Sequence, residues 1–130
     1  MTRLRLLLFD IDGTMLTCRG KGVRAMHRVM QSLFGVTPRE ARIEPQGKTD
    51  PMLFEEVGAV YGLTADAVAA RAADLHREYV AALAAELLEP GACEVKAGVP
   101  ELLARLAPRP DCVLGIVSGI TTRVTTAQRD

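Results

Sequence analysis

The sequence predicts an α/β fold in which a block of helices separates two strands of one parallel sheet. Residues 4–9 form a short apolar run that stops at a glycine-containing turn, which is typical of a buried parallel strand. Residues 112–117 form a second apolar run, which ends at Ser118 and Gly119. Between residues 23 and 88 the apolar residues recur at helical spacing, so we expect consecutive helices and no strand there.

The first two helices of this block have recognisable ends. Apolar residues at positions 23, 26, 30, 33 and 34 predict one helix, and Gly35 is its expected C-terminal stop. Thr37 and Glu40 have the spacing of a capping box, which predicts a further helix start. Asp50 with the proline behind it predicts the next start, and Gly62 ends that segment.

The remaining elements follow in order. Thr64 is the expected cap of one long helix whose apolar stripe runs from residue 68 to residue 87, and Pro90 closes it. Gly98 precedes a shorter helix with leucines on one face, and a proline-rich turn leads into the second strand. Residues 120–130 are polar and threonine-rich, and they offer almost no apolar face to a helix.

Composition excludes several classes of function. The 130 residues suffice for one medium domain or two very small ones. Lysine and arginine together number 16, as do aspartate and glutamate, so no net charge attracts nucleic acid or a membrane surface. The apolar run before Asp10 is too short for a signal sequence or a membrane span.

Cys18, Cys93 and Cys112 lack metal-ligand spacing, and reduced cysteines in a cytoplasmic protein are the simpler interpretation.

Asp10 and Asp12 are the strongest candidates for chemistry. Ligands of open parallel sheets bind beyond the carboxyl ends of the strands, where this pair lies. A calcium loop of the EF-hand type requires glycine and glutamate where Met15 and Lys21 stand. A solvated turn is the second interpretation, because aspartate and glycine are common in turns. The third is a nucleophilic carboxylate beside an acid/base partner and a metal ion.

Residues 6–16, with the sequence LLLFDIDGTML, resemble the first signature of haloacid dehalogenase-like (HAD) phosphatases. The resemblance implies a Rossmannoid core with an inserted helical cap. It implies that Asp10 attacks phosphorus, that Asp12 acts as the general acid and base, and that both hold Mg²⁺, Asp12 through its backbone carbonyl. It further implies that Gly13 and Thr14 contact the substrate phosphate. The second aspartate favours phosphoryl transfer over carbon–halogen cleavage, since dehalogenating relatives do not carry it.

The second strand end resembles the family's second signature. There a strand ends in a serine or threonine whose hydroxyl binds a phosphoryl oxygen, which assigns phosphate binding to Ser118 with the backbone of Gly119. A serine-hydrolase elbow would require the pattern G-x-S-x-G, and Ile116 occupies the position of its first glycine.

The helical block matches the position of the family's cap. Residues 46–50, QGKTD, resemble a stretch in the caps of phosphoglycolate phosphatase-like members, which implies a substrate-facing Lys48. A solvated loop charge is the alternative for Lys48, and a nucleotide P-loop is excluded because Arg42 replaces the required glycine. We expect residues 1–16 and 90–130 to form a partial Rossmannoid core, and residues 17–89 to form the cap. His27 and His76 have no partner at metal-ligand spacing.

The resemblance implies a cytoplasmic, Mg²⁺-dependent phosphatase that acts on small phosphorylated metabolites through an aspartyl-phosphate. Two later signatures of the family, one with a lysine and one with acidic metal ligands, have no counterpart in these 130 residues. We therefore expect a fragment with impaired activity. The alternative is an inactive remnant that associates with itself through an open strand edge.

Overall fold

The computed structural model describes residues 3–119, in which it contains five helices and four strands. The predicted polar segment 120–130 lies outside the described residues. The strands are β1 (Arg5–Asp10), β2 (Leu16–Thr17), β3 (Glu94–Val95) and β4 (Cys112–Val117). The helices are α1 (Lys21–Phe34), α2 (Asp50–Val60), α3 (Ala65–Ala70), α4 (Ala72–Leu87) and α5 (Val99–Leu106).

The chain divides into two compact units. Within the described part, the first unit comprises residues 3–19 and 93–118, and the second comprises residues 20–92 with residue 119. The first unit holds all four strands and α5, and the second holds α1 to α4. No described helix is long and apolar enough to cross a membrane.

The two predicted strands form the parallel pair of the first unit. β1 and β4 run side by side in a register that joins Arg5 to Cys112 and Asp10 to Val117. Since Asp10 and Val117 end their strands together, the polar residues that follow emerge at one edge of the sheet. The prediction of a mixed α/β chain with a parallel sheet is confirmed.

One face of this two-stranded sheet is apolar and exposed. Paired residues of a parallel ladder share a face, and Leu6 pairs with Val113. Leu4, Leu6 and Leu8 are 66%, 63% and 56% exposed, and Val113 and Val117 on the neighbouring strand are 45% and 51% exposed. Helix α5 has no buried residue either. The sequence predicted buried strands. In the described structure the apolar side chains of this face are exposed, whereas Leu7 and Phe9 on the opposite face are half-buried.

The short strands β2 and β3 were not predicted. They pair antiparallel, with Leu16 opposite Val95, and the amide of Lys96 donates to the carbonyl of Met15 at 2.8 Å. Beside them, Cys18 and Cys93 are joined in a disulfide, and Cys112 is a free thiol. The expectation of reduced cysteines is wrong for the bonded pair, because the β2–β3 pairing brings together two side chains that are 75 residues apart in sequence.

The helices of the second unit share one hydrophobic core. Helix α1 packs mainly against α4, and the Phe54 and Tyr79 rings of α2 and α4 meet edge to face at 5.4 Å. Burial of each large apolar side chain contributes about 1.5–3 kcal/mol, so this core stabilises the unit. The buried members are Ala25, Met26, Val29, Met30, Leu53, Phe54, Val57, Tyr61, Val68, Leu75, Tyr79 and Leu83.

Two helix predictions are wrong in detail. No helix begins at Thr37, because residues 36–49 are irregular apart from a turn at residues 46–47. Only Val36 and Ile43 of that segment pack against the core, which is too little apolar contact to stabilise a short helix. The expected long helix after Thr64 is divided at Arg71, which ends α3 and begins α4, while Thr64 does cap α3 by accepting from the amide of Ala67.

A buried carboxylate links α1 to α4. Glu86 of α4 is only 3% exposed, and it binds Arg28 at 2.9 Å and Lys21 at 3.3 Å. Lys21 also binds Glu89, and Arg24 approaches Glu86 at 3.9 Å. The hydrogen bond from Lys21 lowers the pKa of Glu89. Since a buried carboxylate is stable only when it is paired, this cluster fixes one helix against the other.

Candidate functional site

The loop after β1 is organised around one backbone carbonyl. The carbonyl of Ile11 accepts hydrogen bonds from the amides of Thr14, Met15 and Leu16 at 3.2, 2.9 and 3.2 Å. The side chain of Ile11 is buried, and Gly13 adopts a left-handed φ of 75° that glycine accommodates without strain. The loop therefore presents Asp10 and Asp12 on either side of an anchored residue, with both carboxylates accessible to solvent.

The two carboxylates differ in their surroundings. Thr14 donates its hydroxyl proton to a carboxylate oxygen of Asp10 at 3.2 Å. Partial burial, and secondarily the negative charge of Asp10, raise the pKa of Asp12. Asp12 therefore holds its proton to a higher pH than an ordinary aspartate, which suits a general acid.

Ser118 lies at the same edge of the sheet as Asp10. It follows Val117, the residue that pairs with Asp10 in the β1–β4 register, and its side chain is half-buried. The structure therefore brings together the residues after the two strands, as expected for the carboxyl edge of a parallel sheet. Their roles in phosphate binding stay predictions.

The backbone amides of Gly13 and Thr14 are engaged within the loop. Gly13 donates to the carbonyl of Leu16 at 2.8 Å, and Thr14 donates to Ile11. The hydroxyl of Thr14 donates to Asp10, so its proton is used in this conformation as well. The predicted phosphate contact of Gly13 thus requires the loop to rearrange.

Lys48 and Gly119 belong to the second unit. The ammonium of Lys48 donates to Glu56 of α2 at 2.6 Å, so its charge is balanced within the unit. Gly119 accepts from the amide of Asp50 at 3.4 Å, and a Cβ at position 119 would lie 2.7 Å from the carbonyl oxygen of Lys48. The structure brings these two predicted residues together, and the substrate-facing role of Lys48 stays a prediction.

Asp10 and Asp12 fit part of a magnesium site. Mg²⁺ prefers oxygen ligands and commonly uses one or two protein carboxylates, with water and substrate oxygens in the other positions. The negative charge of Asp10 helps to raise the pKa of Asp12, and a cation bound to both groups would offset that repulsion. Among residues 3–119, no group of three or more histidine, cysteine, aspartate or glutamate side chains is placed to hold a metal ion.

Sequence reasoning missed the surroundings of His27. Its Nδ1 lies 2.8 Å from the hydroxyl of Tyr61, which also accepts from Gln31 at 2.9 Å. His27 and Gln31 are one helical turn apart on α1, a spacing that marks a shared face. Their partner follows 30 residues or more later, and no local pattern in the sequence indicates it.

Comparison of the chain with protein-family models and with curated proteins found no match. The candidate site therefore depends on the residues and distances described above. The pairing of β1 with β4 places the ends of both strands at one edge of the sheet. The loop after β1 gives Asp10 and Asp12 different surroundings, which raise the pKa of Asp12.

Proposed function

We propose that this chain carries the nucleophile-bearing part of a Mg²⁺-dependent phosphomonoester hydrolase of the HAD type. The observation that supports this proposal is the pair of unlike carboxylates at the end of β1. Asp10 accepts a hydrogen bond from Thr14, whereas burial and the charge of Asp10 raise the pKa of Asp12. The substrates we propose are small phosphorylated metabolites, with phosphoglycolate as the first candidate.

The proposed reaction has two steps. A carboxylate oxygen of Asp10 attacks phosphorus, the ester P–O bond breaks, and Asp12 donates its proton to the leaving oxygen. Asp12, now ionised, takes a proton from water, whose oxygen attacks phosphorus and breaks the bond to Asp10. The products are the alcohol and inorganic phosphate, and both aspartates return to their starting states.

Charge neutralisation is the main requirement of the first step. An anionic nucleophile and an anionic phosphate repel each other, and a divalent cation between them supplies electrostatic stabilisation. Asp10 and the backbone carbonyl of Asp12 are the groups proposed to hold that cation. Ser118 is proposed to donate its hydroxyl proton to a phosphoryl oxygen, which orients the substrate for in-line attack. The Thr14 hydroxyl contacts the phosphate only when its hydrogen bond to Asp10 is exchanged.

A trapping experiment tests the two roles separately. With an aryl phosphate, whose leaving group needs no proton, Asp12→Asn is expected to complete the first step and stall before the second. Intact-mass analysis should then show one added phosphoryl group that peptide mapping places on Asp10. The double variant Asp10→Asn/Asp12→Asn is the matched control, and a phosphoryl group on that protein would contradict the proposed nucleophile.

The exposed sheet face supports a second candidate function, which is self-association. Leu6 and Leu8 of β1, and Leu4 just before it, are more than half exposed. Among the described residues β1 has one open edge, and such edges pair readily with other chains. Sedimentation of wild type beside Leu6→Lys tests it, since an unchanged association state in the variant contradicts a role for this strand.

A cytoplasmic location also stays a proposal, against which the Cys18–Cys93 disulfide weighs.

A further inference from the structure

A groove on the helical unit has no part in the proposed hydrolysis. It is a shallow, open depression of about 540 Å³, and all of its lining residues belong to the second unit. One side is formed by Val23, Arg24 and His27 of α1, and the other by residues 39–42 of the irregular segment.

The lining of this arginine groove is strongly cationic. Three of its residues are arginines, Arg24, Arg39 and Arg42, whereas Glu40 is its only acid. The chain as a whole has a formal net charge of zero, so this concentration of guanidinium groups is local. Guanidinium groups match phosphate oxygens with paired hydrogen bonds, and several together recognise multiply charged anions.

The guanidinium groups remain accessible to a ligand. Arg42 contacts Glu44 at 3.2 Å, but its side chain is 92% exposed, and exposed ion pairs contribute only about 0–1 kcal/mol. Arg24 is 3.9 Å from Glu86, which Arg28 and Lys21 bind at shorter distances. Arg39 is exposed, and its guanidinium makes one long hydrogen bond, at 3.5 Å, to the carbonyl of Val60. None of the three arginines is therefore held by a strong competing partner.

We propose that the arginine groove binds a small organic anion carrying two or more phosphate groups, with Arg24, Arg39 and Arg42 as its ligands. Two of the arginines, Arg39 and Arg42, belong to the irregular segment, and the third, Arg24, belongs to α1. Val23 and Ala41 supply apolar contacts for the organic part of the ligand. This site is separate from Asp10 and does not depend on the proposed hydrolysis.

Calorimetric titration with pyrophosphate, in EDTA and at constant ionic strength, tests the proposal. Wild type should bind one equivalent saturably, and Arg39→Gln/Arg42→Gln should raise the Kd at least about tenfold. Arg77→Gln is the control, because it removes an exposed positive charge from α4, outside the groove. Asp10→Asn should bind like wild type.

Each other outcome overturns the proposal. Equal weakening by Arg77→Gln would mean that binding reflects overall charge, and an affinity changed by Asp10→Asn would place the ligand at the sheet edge. Unchanged affinity in the double variant, or no saturable binding by wild type, would show that the groove is not an anion site. Circular dichroism of each variant establishes that a lost signal does not come from unfolding.

Discussion

Removal of the Cys18–Cys93 disulfide should lower stability by a predictable amount. The bond closes a loop between residues 75 apart in sequence. In the chain-entropy description, closing a loop of this length lowers the free energy of the folded state relative to the unfolded one by about 4.5 kcal/mol at 25 °C. Small domains have unfolding free energies of about 5–15 kcal/mol, so Cys18→Ser/Cys93→Ser should lose a large part of its stability.

Urea unfolding followed by circular dichroism measures this difference. Wild type and the double variant are compared without reductant, and Cys112→Ser is the control, because it removes the free thiol and keeps the bond. The control should match wild type, whereas the double variant should show a folded-to-unfolded ratio about 10³-fold lower. Adding reductant should bring wild type down to the level of the double variant.

Two results would refute this reasoning. If thiol titration of denatured, air-purified wild type finds all three cysteines reduced, the pairing of Cys18 with Cys93 is wrong. If the bond is present but the double variant is as stable as Cys112→Ser, loop closure does not stabilise the fold, and the β2–β3 pairing holds the two segments together without it.

Three further changes test the core, the buried ion cluster and the raised pKa. Leu75→Ala, at a fully buried position, should lower the unfolding free energy by about 2–5 kcal/mol in urea, whereas an unchanged value would contradict the described core. Glu86→Ala should lower the unfolding free energy by about 1.5–3 kcal/mol, because Lys21, whose side chain is 11% exposed, loses one of its two carboxylate partners, and high salt should not reproduce that loss. A raised folded-state pKa means that Asp12 contributes stability at low pH that is lost as pH rises, so Asp12→Asn should gain on wild type as pH rises above the ordinary aspartate pKa of about 4. A difference independent of pH would contradict the raised value.

The elements with strong local signals were predictable. β1 and β4 are short apolar runs that stop at polar turns, and their parallel pairing follows from the helices between them. Helix α1 ends before Gly35, which adopts the left-handed conformation of a helix stop. These predictions hold because a local pattern and the packing of the folded chain favour the same structure.

Elements decided by distant contacts were not predictable. The Thr37 capping pattern has local support, but too few apolar side chains in that segment reach the core. The same limit applies to the disulfide, because only the pairing of β2 with β3 brings Cys18 to Cys93. For the candidate site, the sequence predicted the edge shared by Asp10 and Ser118, but not the ion pair that holds Lys48 to α2.

The most direct measurement of the central proposal is hydrolysis of an aryl phosphate by the 130-residue chain, with and without Mg²⁺, beside Asp10→Asn. The proposal predicts Mg²⁺-dependent release of phosphate that Asp10→Asn abolishes, while Lys96→Gln, which changes an exposed residue, keeps it. Turnover that survives in Asp10→Asn, or no turnover from a folded, soluble chain, would contradict the assignment of Asp10 as the nucleophile of a working phosphatase.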